Sequence, residues 1–149
     1  MKIRRVVTGH DKSGKAVVKW DSEIESISGR LGFSRAEMWA TRKLPPILTD
    51  EDPTTWETGT TIANGSVLRI IKFDPGVAAR RHVTESIDYA IILSGEIDME
   101  LEEGEEVHLK AGDVLIQRAT IHNWINRSKA PCVIAFTLLA LEGGKSTGW

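Results

Sequence analysis

The sequence predicts an all-β fold, an antiparallel sandwich or closed barrel, and three observations carry that prediction. Short apolar β-runs recur every eight to twelve residues from residue 66 onward. Glycines or tight-turn pairs fall at the joints between them. Closure into a barrel would hide the many edges that so many short strands create.

Taken in order, IRRVV and KAVVKW flank HDKSGK, whose Ser13-Gly14 pair is a turn signal, so an N-terminal β-hairpin is expected. Residues 34–48 carry conflicting signals. Ser34 with Glu37 satisfies a capping box, and RAEMWATRKL would make a short helix stopped by Pro45-Pro46. Met38 and Ala40 nevertheless alternate with Trp39 and Thr41 as a strand would, and the strand is preferred. Residues 48–66, LTDEDPTTWETGTTIANGS, are polar and rich in Thr, Asp and Gly, which suits a long loop near the mouth of a cavity. The main strand series follows: SVLRIIKF, the turn Asp74-Pro75-Gly76, DYAIILSGEIDMEL, the turn Glu103-Gly104, EEVHLKAGD, VLIQRA, HNWIN and CVIAFTLLAL. We expect one domain, with residues 1–65 as N-terminal strands and loop, 66–141 as the barrel core and 142–149 as a tail.

With 149 residues the chain is long enough to bury a core without staples, and its one cysteine, Cys132, excludes an intrachain disulfide framework. Nineteen basic and twenty-one acidic residues are dispersed along the chain, which argues against nucleic acid or an anionic membrane as a partner. MKIRRVVTGHDKSGK has no apolar run of signal length, so the expected location is cytoplasmic. Cys132 falls in an apolar strand, so no cysteine nucleophile is indicated.

The polar interruptions in the strand series mark the candidate site. His82, Thr84 and Asp88 sit between Gly76 and Gly95, and a second block runs Thr120-Ile121-His122-Asn123-Trp124-Ile125-Asn126. These two blocks resemble the paired motifs of the cupin superfamily, and RRVVTGHDKSGKAVV with SIDYAIILSGEI resembles a subgroup of small single-domain cupins, some found among natural-product genes and labelled oxidoreductases. The resemblance implies a jelly-roll barrel with an N-terminal hairpin extension. It departs from the family pattern where Thr84 stands for a second histidine, Asp88 for glutamate, and Gln117 and Ala119 for the usual Pro and Gly of the second block.

Residues two apart on a strand share a face, so His82 and Thr84 point together, as do Asp88, Ala90 and Ile92. His82, Asp88 and His122, converging inside a barrel, would suit a divalent transition metal, Fe2+ or Zn2+, with Mn2+ or Ni2+ also compatible. Thr84 would be a weak fourth ligand or would hydrogen-bond a bound water. The competing reading makes both histidines hydrogen-bonded core residues around an empty small-molecule pocket. A bulge after Thr84 would turn Glu85 inward in place of Asp88.

Arg69 alternates with Ile71 and Phe73, so an inward guanidinium would meet a substrate carboxylate or enolate, or else a protein carboxylate. Tyr89 is the one other candidate acid or base, and Gln117, Trp124 and Phe73 are candidate wall residues. Alternation turns His108 to solvent and His10 falls in the expected hairpin turn beside Asp11, so neither is assigned chemistry. Three functions remain open: a metal-dependent oxidoreductase acting on a small keto acid or polyketide-like molecule, a non-redox metal-dependent lyase or isomerase, and a metal-free binding protein. A homodimer is expected from the resemblance, with KAVVKW and AFTLLAL offering contact area.

Overall fold

The computed structural model describes residues 1–144. Eleven strands run in the order β1 (Lys2–His10), β2 (Ala16–Glu25), β3 (Ile27–Ser28), β4 (Phe33–Thr41), β5 (Ser66–Phe73), β6 (Ser86–Ser94), β7 (Glu96–Glu100), β8 (Glu106–Lys110), β9 (Val114–Arg118), β10 (Asn123–Ile125) and β11 (Cys132–Ala140), with one 3-10 turn at Pro53–Thr55. The fold is all-β, as the strand periodicity predicts. Residues 142–144 leave β11 as a turn, and the remainder of the expected tail lies outside the described residues.

Two sheets form the jelly roll. The larger has six strands in the order β3-β4-β5-β11-β6-β9, and the smaller has three in the order β10-β7-β8. Their inner faces share one apolar core. Phe33, Phe73, Ile92, Ile134 and Phe136 from the larger sheet meet Ile97, Met99, Leu109 and Trp124 from the smaller. Trp124 is the central plug, with its ring centroid 5.7 Å from Phe73 and 5.8 Å from Phe136. Burial of such side chains, about 1.5–3 kcal/mol each, is the main force that joins the sheets.

β1 and β2 form the expected hairpin as a separate two-stranded sheet. Contacts from both of its strands hold it to the body, among them the ion pair of Lys19 with Asp50. Trp20 packs on Trp39 of β4 at 6.1 Å, and buried Arg5 donates through Nη1 to Asp52 at 2.8 Å. The Arg5 contact holds the Asp52 carboxyl well below the ordinary carboxylate range.

Residues 33–41 are a strand, so the capping-box signal at Ser34 and Glu37 is overridden by pairing with β5. The conflict in the sequence has a physical origin in the ladder. Glu37 opposes Arg69 and Trp39 opposes Leu68, which leaves Met38 as the extra residue of a bulge. Alternation therefore changes phase there, with Glu37 facing the interior and Trp39 facing the hairpin.

Candidate functional site

The site begins with an isolated antiparallel bridge. His82 N–H donates to His122 O and His122 N–H donates to His82 O, both at 3.0 Å. This bridge joins two segments that lie forty residues apart and sets the two imidazoles side by side, ring centroids 4.4 Å apart. Each ring is then anchored through Nδ1.

Nδ1 of His82 lies 2.9 Å from the Arg80 carbonyl, an acceptor, so the hydrogen-bond pattern assigns the proton to Nδ1 and a lone pair to Nε2. Around His122 the pattern is reversed. The Gln117 amide nitrogen lies 2.7 Å from Thr120 O and 2.8 Å from His122 Nδ1, while its Oε1 accepts from Ala119 N at 3.2 Å. Its two hydrogens serve Thr120 O and His122 Nδ1, which assigns the His122 proton to Nε2 even though Thr120 O is also within 3.0 Å of Nδ1. Burial lowers both imidazole pKa values, that of His122 to about 4. Both rings are therefore neutral near pH 7.

These rings line a cavity between the sheets with Phe33, Phe73, Trp124 and Phe136 on its apolar side and Thr84, Asp88 and Arg69 on its polar side. Its volume is about 430 Å³ including its opening to solvent. Asp88 is buried and Glu85 is exposed, so Asp88 faces inward. Burial raises the Asp88 carboxyl to about 6, opposed by the Ser86 hydroxyl, which donates to it, and by the charge of Arg69.

Arg69 is fully buried on β5, as the alternation of that strand predicts. Its partner is Glu37 on the neighbouring strand, with Nε to Oε2 at 3.1 Å, and its Nη2 donates to Gly59 O at 2.9 Å. Burial pushes the guanidinium down to about 10, still charged at neutral pH, while Glu37 works in the opposite direction. The protein carboxylate anticipated as one of two alternatives is thus present, and Arg69 also lines the cavity.

Arg30 and Arg80 extend the cationic wall. Arg30 lies over the Phe33 ring at 4.5 Å and donates to Ala78 O at 2.9 Å. With three arginines around one lining carboxyl, the cavity favours anionic, planar occupants.

Several expectations need correction. Tyr89 does not face the site. It follows Asp88 on the same strand, so its side chain points outward and is 45% exposed. Gln117 is not a wall residue either; it braces His122 from behind. Among the described residues no three His, Cys, Asp or Glu side chains are placed to hold one ion. His82, Asp88 and His122 line one cavity and are the side chains that would hold a divalent ion there, but they are not gathered as a three-ligand set.

Thr84, Phe73 and Trp124 line the cavity. Asn126 lies outside it and ties strand ends through Phe73 O and Ala130 O, both at 2.9 Å. His108 is exposed beside Asp98, and His10 is exposed on the hairpin. Sequence reasoning missed Glu37, Ser86, Arg30 and Thr60. For Glu37 a signal existed, a lone carboxylate opposite an inward arginine. Arg30 and Thr60 lie in connections, where no periodicity marks an inward face.

Comparison with known proteins places this geometry in a family. A model described as Cupin domain matches residues 69–139. Phomopsin biosynthesis cluster protein C' of Diaporthe leptostromiformis is 42% identical over 83% of this chain and 70% of its own length. The cupin-domain-containing oxidoreductase fogC of Aspergillus ruber is 35% identical over 84% of this chain and 64% of its own. KdgF from Halomonas sp. superposes with a TM-score of 0.54 at 19% identity, covering 80% of this chain and 89% of that one, which is a likeness of fold. The chain belongs to the cupin superfamily, and its relatives include proteins named as natural-product cluster proteins and cupin oxidoreductases. No described helix is long and apolar enough to cross a membrane.

Proposed function

We propose that this cupin is an enzyme that moves a proton on a small, planar, oxygenated anion, of the keto acid or polyketide-like class, bound in the cavity between the sheets. The single observation that carries the reading is the pair of imidazoles set side by side, ring centroids 4.4 Å apart and each anchored through Nδ1, which we read as opposite tautomers. His82 Nε2, with its lone pair, accepts a proton from the carbon next to a carbonyl. His122 Nε2–H donates a hydrogen bond to the enolate oxygen that forms, a role a neutral imidazole fills without becoming charged. Arg69 supplies positive charge in the same water-poor space, where it stabilises that oxygen far more than it would in water. Phe33, Phe73, Trp124 and Phe136 bind the flat body of the molecule. Return of the proton from His82 to a different carbon gives isomerisation, and its transfer to a neighbouring hydroxyl, which leaves as water while the enolate electrons form the new C=C bond, gives dehydration.

A second reading keeps the substrate class and makes the reaction a metal-dependent oxidation. It is favoured by relatives named as oxidoreductases. The two readings separate on one preparation. Phenylpyruvate in D2O, followed by proton NMR at its methylene carbon, is expected to exchange faster with the wild-type protein than in buffer. His82→Gln is expected to lose on the order of 100-fold or more of that acceleration. No acceleration, or acceleration untouched by His82→Gln, contradicts the proton-transfer reading. Stoichiometric iron or zinc that is lost in His82→Ala, with oxygen uptake on metal reconstitution, supports the second.

A further inference from the structure

We infer that Arg30 is the residue that selects for a carboxylate on the occupant of the cavity, gripping it through its two Nη groups, while Arg69 is committed to the protein itself. The inference rests on the substrate class proposed above and narrows it to molecules whose carboxylate neighbours the reacting carbonyl. Arg30 lies in the turn between β3 and β4, half-buried, and lines the cavity wall. Two contacts fix its direction. Nε donates to Ala78 O at 2.9 Å, and the guanidinium carbon lies 4.5 Å from the centre of the Phe33 ring. Neither contact brings a negative charge, and among the described residues no carboxylate pairs with Arg30. Arg69 differs on this point, because Glu37 at 3.1 Å already balances it.

The stretch of chain that holds the anchor also holds the base. Ala78 O accepts from Arg30 Nε and Arg80 O accepts from His82 Nδ1, so residues 78–82 fix the guanidinium and the imidazole relative to each other. That stretch is pinned in turn. Ala78 N donates to Leu31 O at 3.0 Å, Arg80 N donates to Asn123 Oδ1 at 2.8 Å, and His82 bridges to His122. Arg80 lines the same cavity, and burial together with the charge of Arg80 lowers the Arg30 pKa. Two guanidinium groups on one partly desolvated wall repel each other, and an anionic occupant relieves that repulsion. A carboxylate meets the guanidinium fork with two parallel charge-assisted hydrogen bonds, whereas a neutral ketone offers one acceptor and no charge.

Titration calorimetry of the full chain with phenylpyruvate and with phenylacetone, which carries a methyl group in place of the carboxylate, tests the assignment. Wild type is expected to bind phenylpyruvate about tenfold or more tighter than phenylacetone. Arg30→Gln is expected to remove that preference, lowering phenylpyruvate affinity about tenfold while phenylacetone affinity stays within about twofold. A merely structural Arg30 would instead weaken both ligands alike. Arg30→Lys keeps the charge and loses the fork, and its preference is expected to fall between those of wild type and Arg30→Gln. His82→Gln is expected to keep the full preference. Wild type that binds phenylpyruvate in this Arg30-dependent way without exchanging its methylene protons supports the anchor and contradicts proton transfer alone. No preference in wild type, a preference that survives Arg30→Gln, or an equal loss of both ligands in Arg30→Gln and Arg30→Lys overturns the inference.

Discussion

At the scale of single residues, the site is governed by burial acting in opposite directions on two kinds of group. Removing Asp88 from water raises its carboxyl to about 6, and removing His122 from water lowers its imidazole to about 4. The signs of the two linkages follow. Asp88 binds its proton more tightly when folded, so its contribution to stability is present below the unfolded value of 3.8 and is lost as pH rises through about 6. His122 binds its proton less tightly when folded, so its contribution is present above 6.5 and is lost as pH falls through about 4. Asp88→Asn removes the first effect and leaves the second. Its stability relative to wild type is expected to be near zero at pH 4 and to grow to on the order of 3 kcal/mol in favour of the variant at pH 8. Urea unfolding of both proteins at the two pH values checks this; parallel curves would mean that Asp88 is not a desolvated carboxyl. Asp88 was legible in the sequence as an inward polar group because alternation along β6 fixes its face, whereas His82, Thr84 and His122 lie outside the strands and were legible through their spacing in the two cupin-like blocks. Their mutual distances were not, because those depend on a two-residue bridge between remote segments that no local pattern encodes.

At the scale of elements, the joints between strands decide which sheet each strand enters. Gly95 separates β6 of the larger sheet from β7 of the smaller, with a φ of 75°. A Cβ placed there would lie 2.4 Å from Pro131 O and 2.9 Å from Cys132 Cα. Gly14 in the hairpin turn has a similar φ of 83° but nothing within 4 Å of the same position. The pair separates conformational from steric cost. Gly14→Ala is expected to cost about 1 kcal/mol, and Gly95→Ala about 3 kcal/mol or more, measured as denaturant midpoints. Equal losses would show that the joint at Gly95 yields easily. The strand series from 66 to 141 was readable because alternation and glycine punctuation agree there. The assignment at 34–41 was difficult for a reason now visible, since the bulge at Met38 breaks the period that would have identified a strand.

At the scale of the whole molecule, two sheets enclose a cavity, a hairpin is clasped to the outside, and the loop after β4 contributes Gly59 and Thr60 to the site. The architecture was available from the sequence as a pattern of strands and through its likeness to cupins. The cationic wall was not, since Arg30, Arg69 and Arg80 come from three separate segments and only the fold gathers them. The central claim is that this enclosure holds two neutral imidazoles side by side in opposite tautomers, one to accept a proton and one to donate a hydrogen bond. Long-range proton–nitrogen correlation NMR of the imidazole rings at pH 7, assigned with His82→Gln and His122→Gln, reads that claim directly. The account predicts a protonated Nδ1 and bare Nε2 on His82, and a bare Nδ1 and protonated Nε2 on His122. Protons on Nδ1 of both rings, or an imidazolium at either, would contradict it.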